Sequence, residues 1–459
     1  MTMTRTNIIV AAICLAGVMF FATVLLQINT DIIAIIIAAL FVIGTLRDSR
    51  YLLGAWFILS PYFYPFSVEG GTNIASNISH NMLVPTLTII LLTVGFIKRK
   101  KISFGKEDLI LLLFVAYAFL SSFYATKGRY DDLRMIYLIY LIPFFLYLVI
   151  KNIEIDAKLI RMLGFVSVFH IVAISLMCAY EMTTGEVLYR TAMNWNDVGS
   201  AHRFAGPFGS PIILGIFVPT VFFYIYLACK FEVLPRYVMW VSGVLSAVLI
   251  ITTFTRSVWL GAFVAFIYIM YKTGQEGKTK MLRLALFAAG AIALVGAITI
   301  VSPAVQQRLT GEENANFRVV MAQASMNMIL DKPIAGWGAG TFDDVSDRYL
   351  FDALGVYIVK DTSHVTLLTI LAELGILGAV LFVMFIYFNL KYKGVNINDL
   401  LPDDQLIVAM NIGGVLIFVI NGFLIDMRFY SVAYSWFFIN LGFIHSMYRD
   451  HAQARIAAA

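Results

Sequence analysis

The sequence predicts an all-α integral membrane protein: a polytopic helical bundle of 12 to 14 transmembrane helices with one long helical segment on its outer side. Three observations predict it. Of 459 residues, 60% are hydrophobic and only 13% charged, about half the charge of a soluble domain, which excludes a soluble globule. The apolar runs are continuous, as in Leu109 to Ala125, whereas a membrane β-barrel alternates apolar and polar residues in segments of about 10. Lysine and arginine also gather in every second gap between the runs.

A helix needs roughly 20 apolar residues to cross a bilayer. Runs at 7–27, 30–46, 51–64, 82–97, 108–125, 135–150, 160–180, 210–229, 237–253, 257–271, 282–301, 365–390, 405–425 and 429–447 are the candidates. The first exceeds a signal-peptide apolar region and lacks a clean cleavage motif, so it reads as a membrane anchor. The run 51–64 is short and carries Pro61 and Pro65, and 237–253 with 257–271 could be one helix broken at Thr255-Arg256-Ser257. Hence the range of 12 to 14.

Basic residues mark cytoplasmic gaps. With the N-terminus inside, 21 of the 33 lysines and arginines, including Lys98-Arg99-Lys100-Lys101, Lys151 and Arg449, fall on the cytoplasmic side. Both termini are therefore expected inside. The outer segments become 65–81, 126–134, 181–209, 254–256, 302–364 and 426–428. The expected organisation is a transmembrane bundle over 1–301, a large outer loop over 302–364, and C-terminal spans with a short cytoplasmic tail over 365–459. In the loop, Phe317, Val320, Met321, Ala324 and Met328 recur at helical spacing, and Asp331-Lys332-Pro333 stops the pattern. A helix over 316–330 lying against the outer face of the bundle follows.

Several functions are excluded or disfavoured. A net charge of +5 without a basic face gives nucleic-acid binding no support. Cys14, Cys178 and Cys229 lie in apolar runs and behave as small hydrophobes. No His-x-x-x-His spacing exists, and the adjacent acids Asp343-Asp344 read as a solvated loop rather than a Mg²⁺ or Ca²⁺ site. The glycine string Gly336-Trp337-Gly338-Ala339-Gly340-Thr341-Phe342 lacks the Gly-Lys-Ser/Thr of a nucleotide loop.

Arg203, Arg256, Arg318, Arg348 and His364 stand out on the outer side. Arg256 lies between two apolar stretches, where a guanidinium is costly and faces a cavity. A snorkelling arginine at a helix end is the alternative, although the flanking Thr and Ser hydroxyls read as a polar pocket. Arg203 opens a Gly/Pro-rich approach to the helix at Pro211, whose N-terminus would favour an anion. It equally suits a loop arginine neutralising lipid headgroups. His364, at the start of the span 365–390, is placed to act as a general base, or to serve as an interfacial hydrogen-bonding residue. His170, His202 and His445 read as structural. Together these groups fit a cavity for a polyanionic lipid headgroup, since arginine binds phosphate bidentately.

The order of these features resembles the O-antigen ligase and polymerase superfamily of bacterial membrane glycosyltransferases. The resemblance rests on Arg203 in Arg-Phe-Ala-Gly-Pro-Phe-Gly-Ser-Pro, Arg256 in Thr-Arg-Ser, and Asn316-Phe317-Arg318 through Pro333 to the 336–342 glycine string. Ser363-His364 and Leu371-Ala372-Glu373-Leu374-Gly375-Ile376-Leu377-Gly378 complete it. The motifs cover roughly 200–380; the first 180 residues match only as generic spans.

The resemblance implies a GT-C-like bundle in the bacterial inner membrane, with both termini cytoplasmic and a long periplasmic loop. It implies an undecaprenyl-diphosphate-linked glycan donor and a glycan or lipid A core acceptor among membrane lipids. Transfer would invert the anomeric carbon, with neither metal nor cofactor. Arg256 and Arg318 would hold the donor diphosphate, Arg203 would assist, and His364 would deprotonate the acceptor hydroxyl. Arginines can stabilise the developing charge of a diphosphate leaving group without a metal.

One departure is Val365, where many relatives carry Asn after the histidine. The favoured branch is the O-antigen ligase of lipopolysaccharide biosynthesis, because one long outer loop bears both Arg318 and the histidine. The alternatives are an O-antigen or exopolysaccharide polymerase and a protein O-oligosaccharyltransferase. A different class, a transporter or flippase of lipid-linked glycans, would need midplane ionisable residues or broken helices and an inverted repeat.

Overall fold

The computed structural model describes residues 104–125, 136–185, 197–198, 201–208, 210–273, 313–354, 363–392 and 395–458, with positions 50, 53, 54, 56–58 and 61. In lipid, backbone polar groups must be satisfied within the chain, which favours helices. In chain order the described helices are α1 (Lys106–Ser121), α2 (Ile142–Lys151, entered through a π turn Tyr137–Leu141), α3 (Ala157–Thr184), α4 (Pro211–Lys230), α5 (Arg236–Thr252) and α6 (Arg256–Thr273). There follow α7 (Glu313–Asp331), α8 (Phe342–Leu354), α9 (Thr366–Leu390), α10 (Pro402–Gly422) and α11 (Ser431–Ala458). The sole described extended pairing is a two-residue ribbon, Asp197–Val198 antiparallel to Ala201–His202.

Each expected span from 108–125 onward meets one of these helices, apart from 282–301. That span, with 7–27, 30–46, 82–97 and most of 51–64, lies outside the described residues. Among the described helices α3, α4, α9 and α10 are long and apolar enough to cross a membrane. The runs 237–253 and 257–271 are two helices, separated at Phe254, whose φ is +45°. The last helix, α11, continues beyond 447 to Ala458.

Local chemistry sets the ends. The Asp156 carboxylate accepts from the Leu159 amide at 2.9 Å and starts α3. Proline occupies the first helical positions of α4 and α10, where its missing N–H costs nothing. Pro219 sits inside α4, a placement membrane helices tolerate when neighbours re-satisfy the backbone.

Two compact units divide the chain: Met1–Ile102 with Ile153–Trp259, and Ser103–Asn152 with Leu260–Ala459. In the first, α3, α4 and α5 pack on one another. His170 is fully buried on α3, its Nε2 2.8 Å from the Phe57 carbonyl oxygen, in keeping with a structural histidine.

In the second unit α11 packs against α2 and α10, and α1 against α9. Lys151, counted among the cytoplasmic-side lysines, is fully buried at the end of α2. Its Nζ donates to Glu107 at 3.0 Å and to Asp108, His445 lies 3.4 Å from the same Glu107, and Arg449 caps the Lys151 carbonyl at 2.6 Å. A charge at 0% exposure persists only with such pairing.

The span 365–390 is not one continuous helix. Gly375 (φ 62°, ψ −168°) breaks α9, and residues 333–338 fill the break. The amides of Trp337 and Gly338 donate to the Ala372 and Glu373 carbonyls at 3.0 and 2.8 Å, and Ile376 donates to Pro333 at 2.9 Å. Carbonyls at the end of the first half-helix and amides at the start of the second are thus taken up by residues 333–338. A Cβ on Gly336 would lie 2.3 Å from the Glu373 carbonyl oxygen, so close approach explains that glycine.

Candidate active site

In the first unit, the chain leaves the ribbon as Arg203-Phe204-Ala205, enters a 3-10 turn at Gly206–Phe208, and starts α4 at Pro211. The turn between α5 and α6 receives it. The Phe204 amide donates to the Thr252 carbonyl at 3.2 Å. Arg203 Nε donates to the Thr253 carbonyl at 3.1 Å, and Nη2 to Thr255 Oγ1 at 2.5 Å.

These threonines brace the turn that precedes Arg256. Thr252 and Thr253 hydroxyls donate to the Leu249 and Ile250 carbonyls at 3.0 and 2.7 Å, and Thr255 to Thr253 at 2.9 Å. Arg256 opens α6 with an exposed side chain. The structure therefore joins Arg203 to the turn that presents Arg256.

In the second unit, Arg318 is exposed on α7. The buried face of α7, Met321, Ala324 and Met328, packs on Phe342, Val345 and Leu350 of α8 and on Ala372 of α9. The Phe317 side chain lies outside the described residues. Arg348 is exposed on α8, which Asp343 and Asp344 open. These two acids are not a loop: they sit in a first helical turn, where carboxylates favour the positive end of the dipole. Among the described residues no three His, Cys, Asp or Glu side chains gather as a metal site requires.

His364 immediately precedes the N-cap of α9 and is partly exposed. Its φ is +56°, a left-handed backbone that costs a non-glycine residue roughly 1–2 kcal/mol. The flanking hydroxyls hold that geometry. Ser363 Oγ accepts from the Val365 amide at 3.1 Å and lies 2.5 Å from Thr369 Oγ1, while Thr369 Oγ1 donates to the Val365 carbonyl at 3.3 Å. Thr366 Oγ1 accepts from the Met427 amide at 3.0 Å and donates to the Ile425 carbonyl at 3.2 Å.

Sequence reasoning did not single out the charged cluster behind this turn. Arg428 is 1% exposed, in the 3-10 turn Met427–Phe429 between α10 and α11. Its Nη1 donates to Glu373 Oε2 at 2.7 Å and to the Tyr140 hydroxyl at 2.9 Å, and Nη2 donates to Asp426 Oδ2 at 2.9 Å. Burial works against the guanidinium charge, but Asp426 and then Glu373 hold its pKa well above the ordinary arginine value. Glu373 Oε1 also accepts from the Phe342 amide, the first of α8, at 3.2 Å. Two signals could have found this cluster: an acid inside the apolar span 365–390, and an arginine two residues after an acid in a short outer turn.

Residues 241–383 match the family model Wzy_C, described as O-Antigen ligase. The match supports the O-antigen ligase and polymerase superfamily as the one this chain resembles, and with it an O-antigen ligase or polymerase type of function acting on lipid-linked glycan and acceptor substrates. No curated protein matches the chain.

Proposed function

From the O-antigen ligase match as premise, we propose that this protein is a membrane glycosyltransferase of the inner membrane. It moves a glycan from undecaprenyl diphosphate to an acceptor hydroxyl on the periplasmic face, as an O-antigen ligase acting on lipid A core. The observation that carries the reading is that the matched stretch 241–383 contains Arg256, Arg318 and His364. The two arginines have exposed side chains, and His364 sits partly exposed in a strained turn.

In this reading a base at His364 takes the proton of the acceptor hydroxyl as its oxygen attacks the anomeric carbon. The bond from that carbon to the diphosphate oxygen breaks, the carbon inverts, and undecaprenyl diphosphate leaves with the electron pair. The arginines meet the growing negative charge with bidentate donors, a role that asks for no metal. Arg203 assists by holding the turn before Arg256.

The broken helix α9 is the feature that a flippase would also need. Its free backbone groups are taken up by residues 333–338 rather than left to line a water-filled path, which favours the enzyme. Reconstitution of the purified protein with undecaprenyl-diphosphate-linked glycan tests the reading. Product on delipidated core supports the ligase, ladders formed without core support the polymerase, and no product with either acceptor refutes both.

A further inference from the structure

We propose that Glu373 and Arg428, with Asp426, form the positioning device for His364, an inference that rests on the transferase reading above. Thr366 and Glu373 are seven residues apart in α9. At 3.6 residues per turn they share one face, about 10 Å apart along the axis. The turn 425–428 is fastened to that face at both points. Thr366 Oγ1 bonds the Met427 amide and the Ile425 carbonyl at one end, and Glu373 bonds the Arg428 guanidinium at the other.

The fastening is buried throughout: Thr366 is 5% exposed, and Glu373, Arg428 and Asp426 are at 1% or below. Two carboxyl groups face one guanidinium, and the additional donor comes from the first amide of α8, at 3.2 Å from Glu373. Glu373 therefore ties α9 to α8 and, through Arg428 and Tyr140, to the π turn before α2. The first two turns of α9 are clamped, and at their free end stands His364 at φ +56°. A backbone held in that region needs surroundings that over-determine it. Thr366, two residues further on, is where the clamp reaches it.

Ground-state binding of donor does not need this clamp, whereas alignment of a base within about 1 Å does, and misplacement on that scale can cost about 10²-fold in rate. Glu373→Gln keeps the side-chain shape and an oxygen for the Phe342 amide while weakening the grip on Arg428. Arg428→Lys keeps the charge and loses the planar fork.

In the full-length reconstituted protein, each variant is expected to lose about 10- to 100-fold in kcat with the donor KM within about 2-fold of wild type. Labelling of His364 by diethyl pyrocarbonate, read peptide by peptide in a mass spectrometer, is expected to rise about 10-fold as the turn loosens. Lys151→Met, which breaks the other buried ion cluster, should leave the His364 labelling rate unchanged.

Wild-type labelling in a folded Glu373→Gln protein overturns the proposal, as does a parallel fall in kcat and rise in KM. Arg428→Lys decides the same point should Glu373→Gln fail to fold. A wild-type protein that transfers nothing defeats the transferase reading instead, and the labelling comparison still decides whether the clamp positions His364.

Discussion

Gly375→Ala places a methyl group at the break in α9. At φ 62° and ψ −168° the backbone lies where L-residues other than glycine are scarcely found, a penalty of about 2–3 kcal/mol. The new Cβ would stand 2.1 Å from the Ile334 carbonyl oxygen, 2.4 Å from its carbon and 2.7 Å from the Ala335 nitrogen. All three are backbone atoms that no rotamer change can move. Relief requires residues 333–338 to withdraw, which surrenders the bonds from Trp337, Gly338 and Ile376, each worth about 1 kcal/mol net. Whether the chain bears the strain or withdraws, the expected loss is about 3–5 kcal/mol.

Gly185→Ala is the control. Gly185 has φ 72° at the C-cap of α3 and no atom within 4 Å of an added Cβ, so it should lose only about 1 kcal/mol. Reversible unfolding titrations in mixed micelles, followed by tryptophan fluorescence, measure both variants. Equal losses in the two would refute the claim that residues 333–338 seal the helix break.

His364→Ala should abolish glycan transfer while the melting temperature in detergent stays within a few degrees of wild type; transfer at the wild-type rate removes it as the base. Arg318→Lys keeps the charge and loses the bidentate fork, so kcat/KM for the lipid-linked donor should fall about 10-fold or more, as measured by single-turnover transfer. Lys151→Met leaves Glu107 and Asp108 buried without their cation. It should cost about 3–5 kcal/mol of stability. Transfer per folded molecule should be unchanged, which activity normalised to the folded fraction will check.

The candidate site was named from residue types alone. Arg203, Arg256, Arg318 and His364 could be named because ionisable groups are scarce on the outer side of so apolar a chain, and each therefore demands an explanation. Their surroundings were less legible. The threonines beside Arg256 read as its polar surroundings; that their hydroxyls also bond the turn's carbonyls and Arg203 was not visible, because a hydroxyl in a tight turn finds the nearest backbone acceptor first. Asp343-Asp344 read as a loop because adjacent acids are usually solvated, but α8 starts there and its dipole favours them.

The sequence by itself determined where α1 to α4 and α9 to α11 would form, that 237–271 would be helical with a break at 255–257 possible, and that α7 would follow the apolar spacing of 317–328. Burial of a continuous apolar run is a local property, and the helix is the local way to satisfy its backbone. Only the tertiary structure decided that α9 breaks at Gly375, that residues 333–338 close the break, and that Glu373 meets Arg428. Those contacts join residues tens of positions apart, and their energy comes from desolvating and pairing groups that packing brings together. The spacing of residues along the chain carries no record of that pairing.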